Sequence, residues 1–222
     1  MLKKPKALLF DFDGVVVDSF EVHYNAWSSA FKTLFGTKIP EFPHDTYAGK
    51  SPLLIAEFFS DTIGRKSQAK ELYALKDKHL KESLLSPKLL PGVHEIQEFA
   101  AQFDIPHGIA SNATRQFLKK SITQLSLNFK VFYGFEDYTY PKPHPEAYIT
   151  LAKHIGVPQK DFKQCWVFED SLVGLSAAKE AGMLPVGIKT QYNDIQLRDA
   201  GALLIYPTLK EAYQELRILF KT

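Results

Sequence analysis

The sequence predicts an α/β protein: a doubly wound parallel sheet carrying an inserted, all-helical subdomain. Three observations predict it. Short β-prone apolar runs alternate with helical segments through most of the chain, as a sheet built from strand–helix–strand units requires. The runs are continuous rather than alternating in polarity, which suits strands covered on both faces. One interval, about ninety residues between the first run and the second, far exceeds the dozen or so that a crossover connection needs.

The first run, Ala7–Phe10, is a strand. From about Ser19 to Ser86 the pattern turns helical, with apolar residues at three-to-four spacing in Phe20–Phe35, Pro52–Thr62 and Gln68–Leu84. Residues 18–87 are therefore expected to form the helical insertion, and residues 1–17 with 88–222 the sheet-bearing core. The segment from Ser86-Pro87 to Pro91-Gly92 closes the insertion, because its prolines resist helix continuation. Beyond it, strands are expected at His107–Ala110, Val131–Tyr133, Cys165–Phe168, Leu184–Ile188 and Leu203–Tyr206. Helices are expected at Val93–Phe103, Thr114–Leu125, Pro145–Ile155, Leu172–Ala181 and Leu209–Phe220.

Composition narrows the class of partner. Lysine and arginine number 27 against 25 acidic residues, and the basic residues are scattered, so no strong field for nucleic acid or anionic lipid is expected. The single cysteine, Cys165, cannot form an internal disulfide, and the apolar stretch after the basic start meets Asp11 and Asp13 too soon for a signal peptide. No apolar run approaches a membrane span of roughly 18 residues. The expectation is a cytoplasmic protein, monomeric or weakly dimeric, that acts on a small molecule.

Four strand ends carry chemistry. Asp11 and Asp13 follow the first strand, at the end where open α/β sheets bind ligands. Residues two apart in extended chain face the same side, so both carboxylates can converge on one spot. Two like charges that close disfavour joint ionisation unless a cation is present or one carboxyl keeps its proton. One aspartate could then attack as a nucleophile while the other, its proton retained by crowding, acts as general acid. Taken alone, Asp13-Gly14 reads as an ordinary turn.

After His107–Ala110 come Ser111-Asn112-Ala113-Thr114, which suit either an anion site or a helix N-cap. After Val131–Tyr133, Lys142 is bracketed by Pro141 and Pro143, as suits a cation aimed at a phosphate oxygen or a carboxylate. The strand Cys165–Phe168 ends in Glu169-Asp170, where paired carboxylates suit Mg²⁺ or simply a helix N-terminus. Each motif has a structural reading of its own. Four of them at four strand ends point to one site.

Their order resembles the haloacid dehalogenase-like superfamily along the whole chain. The matching segments are Asp11-Phe12-Asp13-Gly14, Ser111-Asn112, Lys142-Pro143-His144-Pro145-Glu146 and Val167-Phe168-Glu169-Asp170-Ser171-Leu172-Val173-Gly174. The resemblance implies a Rossmann-like core and a phosphoryl-transfer site, in which positioning and charge stabilisation dominate. Asp11 would be the nucleophile and Asp13 the general acid and base. Ser111 and Asn112 would bind the phosphoryl oxygens, and Lys142 would neutralise charge. Asp11, the Asp13 backbone carbonyl and Asp170 would hold Mg²⁺, with Glu169 bound directly or through water. The helical insertion would be a mobile cap that excludes water.

The segment Asp18–Trp27 resembles the start of the cap in the β-phosphoglucomutase-like branch, which also contains phosphatases. There His23 is expected as a hinge or proton-relay residue near Asp13, or as a plain packed histidine. Gly49 and Lys50, in the turn Ala48-Gly49-Lys50-Ser51-Pro52, are expected at the substrate, and the loop His44–Pro52 is expected to set specificity. Two departures weaken a mutase reading. Pro52 stands near the arginine that mutases of this type use, and Ala113-Thr114-Arg115 replaces their Ser-Lys-Asn step. Lys50 or Arg115 could supply a point charge but not a bidentate clamp. The expected activity is Mg²⁺-dependent hydrolysis of a small phosphate monoester, a sugar phosphate or phosphorylated organic acid, with sugar-phosphate mutation as the alternative. Dehalogenation needs neither Asp13 nor the Glu169-Asp170 pair, and a purely binding role would not need every catalytic position filled.

Overall fold

A computed structural model describes residues 3–41 and 49–221. Six parallel strands form the main sheet: β1 (Ala7–Phe10), β4 (His107–Ala110), β5 (Phe132–Tyr133), β6 (Cys165–Glu169), β7 (Leu184–Ile188) and β8 (Leu204–Tyr206). Their spatial order is β5-β4-β1-β6-β7-β8. The chain leaves β1 for β4 on one side and later returns to β6 on the other. The carboxyl end of β1 is thus a switch point, where such sheets open a crevice for ligands.

The residues of β1 are all buried, and their period of two divides the core. Leu8 and Phe10 enter one apolar layer with Ile109, Trp166, Phe168 and Val186. That layer is closed by helices α4 (Val93–Gln102), α5 (Arg115–Gln124) and α9 (Leu209–Lys221). Ala7 and Leu9 enter the opposite layer with Ala110, Cys165 and Val167, under α6 (Glu146–His154) and α7 (Leu172–Glu180). Rings of Phe10 and Phe168 stack across neighbouring strands at 4.9 Å. Both faces of the central strand are covered, which is why its sequence reads as an unbroken apolar run.

The long interval after β1 contains α1 (Phe20–Phe35), α2 (Pro52–Asp61) and α3 (Ala69–Glu82). These helices have an apolar cluster of their own, built from Trp27, Ala30, Phe31, Ala56, Phe59, Ala69 and Leu72. Pro52 opens α2 at a position where its missing N–H costs nothing. A two-residue antiparallel ribbon, β2 (Val17–Asp18) with β3 (Lys88–Leu89), ties the two strands of chain that join these helices to the sheet. Helix α8 (Asp194–Asp199) completes the fold, begun by a reciprocal cap between Asn193 and Gln196.

Candidate active site

The site lies beyond the carboxyl end of β1, in a cavity of about 150 Å³ between the sheet and the helical insertion. Its floor is built by the loops after four strands. The loop after β1 turns sharply: Val16 N–H donates to the Phe12 carbonyl at 2.9 Å, and Gly14 has a φ of +82°. A Cβ on Gly14 would fall 1.8 Å from Asp170 Oδ2, so only glycine lets the two loops approach this closely.

Asp11 is buried, and its Oδ1 accepts from Lys142 Nζ at 2.6 Å. The same ammonium reaches Glu169 Oε1 at 2.6 Å and the Tyr148 hydroxyl at 2.8 Å. Burial works against the charge on Lys142, but Asp11 and Glu169 more than offset it and hold the lysine above its ordinary pKa. Burial also penalises the Asp11 carboxylate, and against Lys142's opposing pull the charges of Glu169 and Asp13 add to that penalty, so Asp11 is pushed up to about 8. Asp170 is driven well above the usual carboxylate range by burial and by Asp11 and Glu169.

Asp13 behaves differently. It is turned away from the other carboxylates toward the insertion, where Ser19 Oγ and His23 reach its Oδ1. Burial pushes its pKa up, but those contacts and the charge on Lys76 outweigh it and leave Asp13 below its ordinary value. The expectation that crowding keeps the proton on Asp13 is therefore corrected: the carboxyls that crowding and burial raise are Asp11 and Asp170. The reason is orientation, because one turn of loop sends Asp13 to different partners.

His23 lies 3.4 Å from Asp13 through Nε2, and its Nδ1 is 3.2 Å from Lys76 Nζ. An ammonium can only donate, so Nδ1 must accept and the ring proton sits on Nε2, facing Asp13. Burial and Lys76 lower the pKa of His23, which keeps the ring neutral. Lys76 itself is buried beside Trp27 and is brought down to about 8 by that burial.

Ser111 and Asn112 are buried at the end of β4. The N-cap of α5 is Thr114, whose side chain accepts from Phe117 N–H, so Ser111 is not spent on capping. Ser111 Oγ accepts from Ala113 N–H at 3.0 Å and keeps its own proton to donate. Asn112 Nδ2 donates to the Gly49 carbonyl at 2.6 Å, bridging core and insertion, while its Oδ1 accepts from Tyr138 at 2.8 Å. Gly49 and Lys50 line the cavity with Asp11, Asp13, Ser111 and Asn112. Of the loop expected to set specificity, residues 44–48 lie outside the described residues.

Four contributors escaped the sequence reading. Tyr148 sits on the buried face of α6, Lys76 on α3, and Thr190 and Gln191 follow β7. Lys76 had a legible signal: it interrupts the buried stripe Leu72, Lys76, Leu80, where an apolar residue belongs. Arg115, a possible second anion-binding cation, instead pairs with Asp137 at 2.7 Å and packs over Phe132.

Carboxylate oxygens of Asp11, Glu169 and Asp170 lie within 4.8 Å of one another. This hard-oxygen cluster fits a divalent cation. A second observation agrees: Gln191 Nε2 donates to Asp170 Oδ2 at 2.9 Å, while its Oε1 is buried with no partner among the described residues. A hydrated cation at the cluster would offer that oxygen a donor.

A family model described as "Haloacid dehalogenase-like hydrolase" matches residues 8–188. Among curated relatives, "Putative phosphatase YhcW" of Bacillus subtilis is 32% identical over 184 residues, covering 80% of each chain. "Beta-phosphoglucomutase" of the same organism is 30% identical over 193 residues, covering 82% of this chain and 83% of the relative. The crystal structure of a hydrolase from Pseudomonas syringae superposes with a TM-score of 0.81 at 24% identity, covering 96% of this chain and 98% of that one. With the matched region spanning all four strand-end motifs, the chain belongs to the haloacid dehalogenase-like hydrolases.

Proposed function

We propose that the protein is a Mg²⁺-dependent phosphatase that hydrolyses a small phosphate monoester through an aspartyl-phosphate on Asp11. The observation that carries this reading is the Asp11 carboxylate itself, held by Lys142 at 2.6 Å, grouped with Asp170 and lining the cavity beside Ser111. Relatives named as a phosphatase and as a phosphoglucomutase support phosphoryl chemistry.

Asp11 and Asp170, with the Asp13 backbone carbonyl, would hold Mg²⁺, and Glu169 stands at the edge of that set. When bound, the ion neutralises charge on the phosphoryl oxygens. Asp11 attacks phosphorus, and the ester oxygen leaves with a proton from Asp13. A phosphate dianion beside Asp13 raises its pKa, supplying the acid form that the free site disfavours. Asp13 then takes a proton from the water that hydrolyses the aspartyl-phosphate. Ser111 donates to a phosphoryl oxygen, and Lys142 offsets charge on Asp11 and the transferring group. Residues 18–87 act as a cap over this chemistry, latched through Asn112 to Gly49 and through His23 and Ser19 to Asp13.

Hydrolysis is favoured over mutation because a mutase must hold a second phosphate, and Arg115 is committed to Asp137. A panel of sugar phosphates and phosphorylated acids tests this reading. Phosphate release that needs Mg²⁺ and disappears in Asp11→Asn is expected, without interconversion of glucose 1- and 6-phosphates. No release from any ester, or release unchanged in Asp11→Asn, contradicts it.

A further inference from the structure

Tyr148 is buried on α6, outside every motif that first marked the site. Its hydroxyl donates to Glu169 Oε1 at 2.5 Å and accepts from Lys142 Nζ at 2.8 Å, and its ring lies 4.6 Å from the ammonium. An ammonium has three donors, and here they go to Asp11, Glu169 and Tyr148. The other side of Glu169 is equally engaged: Oε2 accepts from Ser171 N–H at 3.3 Å and from Ser171 Oγ at 2.9 Å. Gly174 seals the pocket, since a Cβ there would fall 1.8 Å from Glu169 Oε1. Glu169 thus meets four donors in a pocket shaped around its carboxylate.

We propose that Tyr148 is a positioning residue that commits Glu169 to Lys142 as its counter-ion and keeps that carboxylate out of direct contact with the bound cation. The inference rests on the Mg²⁺-phosphatase reading and sharpens it. Asp11 and Asp170 become the two carboxylates on the metal, and Glu169 meets it through water. Holding Glu169 on Lys142 leaves the ammonium pinned between the nucleophile and a fixed anion. Its direction toward the phosphoryl group is then set before substrate arrives.

Tyr148→Phe preserves ring volume and removes only the hydroxyl. A Glu169 released from one charged hydrogen bond is free to turn to the cation. The variant is expected to bind Mg²⁺ about three- to tenfold more tightly by titration calorimetry of the metal-stripped protein. At saturating Mg²⁺ its kcat is expected to fall about tenfold with little change in KM, because Lys142 loses its set direction. Tighter metal binding together with slower turnover is a pattern that a mere packing defect does not produce.

Equal or weaker Mg²⁺ affinity in the variant overturns the proposal, and so does an unchanged kcat. Crystals of the wild-type protein grown with Mg²⁺ test it without any substitution. Glu169 is expected to remain on Tyr148 and Lys142 with a water between it and the ion, and a direct Glu169–Mg²⁺ bond of about 2.1 Å overturns it. If wild-type protein takes up Mg²⁺ but releases no phosphate, the phosphatase reading fails while the titration and the crystal still decide the role of Tyr148. Wild-type protein that takes up no Mg²⁺ overturns both.

Discussion

Three buried carboxylates around one buried ammonium leave Asp11 with an ionisation cost that the protein alone does not offset, and Asp11 is pushed up to about 8. Proton counting gives the consequence. Without metal, the folded state keeps a proton on Asp11 up to about pH 8, whereas the unfolded chain releases it near pH 4. Between those values the native state binds more protons, so this group makes stability fall as pH rises. Asp170 acts in the same direction. Denaturant melts of metal-stripped protein between pH 4 and about 8 should show a decline, on the order of a few kcal/mol, that is smaller in Asp11→Asn and removed by Mg²⁺. A flat difference between wild type and Asp11→Asn over that window contradicts the burial argument. The residue types at this site were legible because phosphoryl chemistry needs carboxylates, a hydroxyl and a cation at strand ends. The protonation order was not, because it depends on which way Asp13 turns. Tyr148 was hidden for another reason: a tyrosine on the apolar face of a helix looks like core until its hydroxyl is seen to have partners.

The elements themselves follow from periodicity where packing and pattern agree. Strands β1, β4 and β7 and helix α1 match their expected limits, since each is a continuous apolar run or a clean amphipathic stripe. Strand β5 is two residues long and only half buried, so its apolar run overstated it by a residue. The β2–β3 ribbon was invisible because two residues carry no period, and its pairing joins chain separated by the whole insertion. Helix α8 was missed despite a legible capping pair, Asn193 and Gln196, because six residues are too few to display a stripe. The most consequential small element is the turn at Gly49. Its φ is +73°, and a Cβ there would lie 2.4 Å from Ser171 Oγ, so the turn seats against the core only without a side chain. Gly49→Ala should hold the insertion off the site and lower kcat/KM at least about tenfold, the strain alone being on the order of 1–3 kcal/mol. Its melting temperature should change little, because α1, α2 and α3 keep their own apolar cluster. Unchanged kcat/KM in steady-state assays would remove Gly49 from the closure.

On the scale of the whole molecule, function follows from where the sheet reverses. Strand β1 lies between β4 and β6, so the loops after these three strands, with that leading to Lys142, crowd around one crevice. A sequence shows which residues end strands but not which strands are neighbours. The recurrence of complementary chemistry at four strand ends pointed to one shared site in advance, while the strand order that gathers them came only with the fold. The helical insertion supplies the opposite wall, with His23, Lys76 and the Gly49 turn, none of which the sheet could provide. No helix among the described residues is long and apolar enough to cross a membrane. The proposed function requires this assembled site to pass a phosphoryl group to Asp11. The most direct measurement is rapid quenching of the protein during turnover of a hydrolysed ester, borohydride reduction of any acyl phosphate, and peptide mass spectrometry to locate the reduced residue. A single reduced position is expected, Asp11, lost when Mg²⁺ is withheld. Sustained phosphate release with Asp11 unmodified, or modification at another residue, would contradict it.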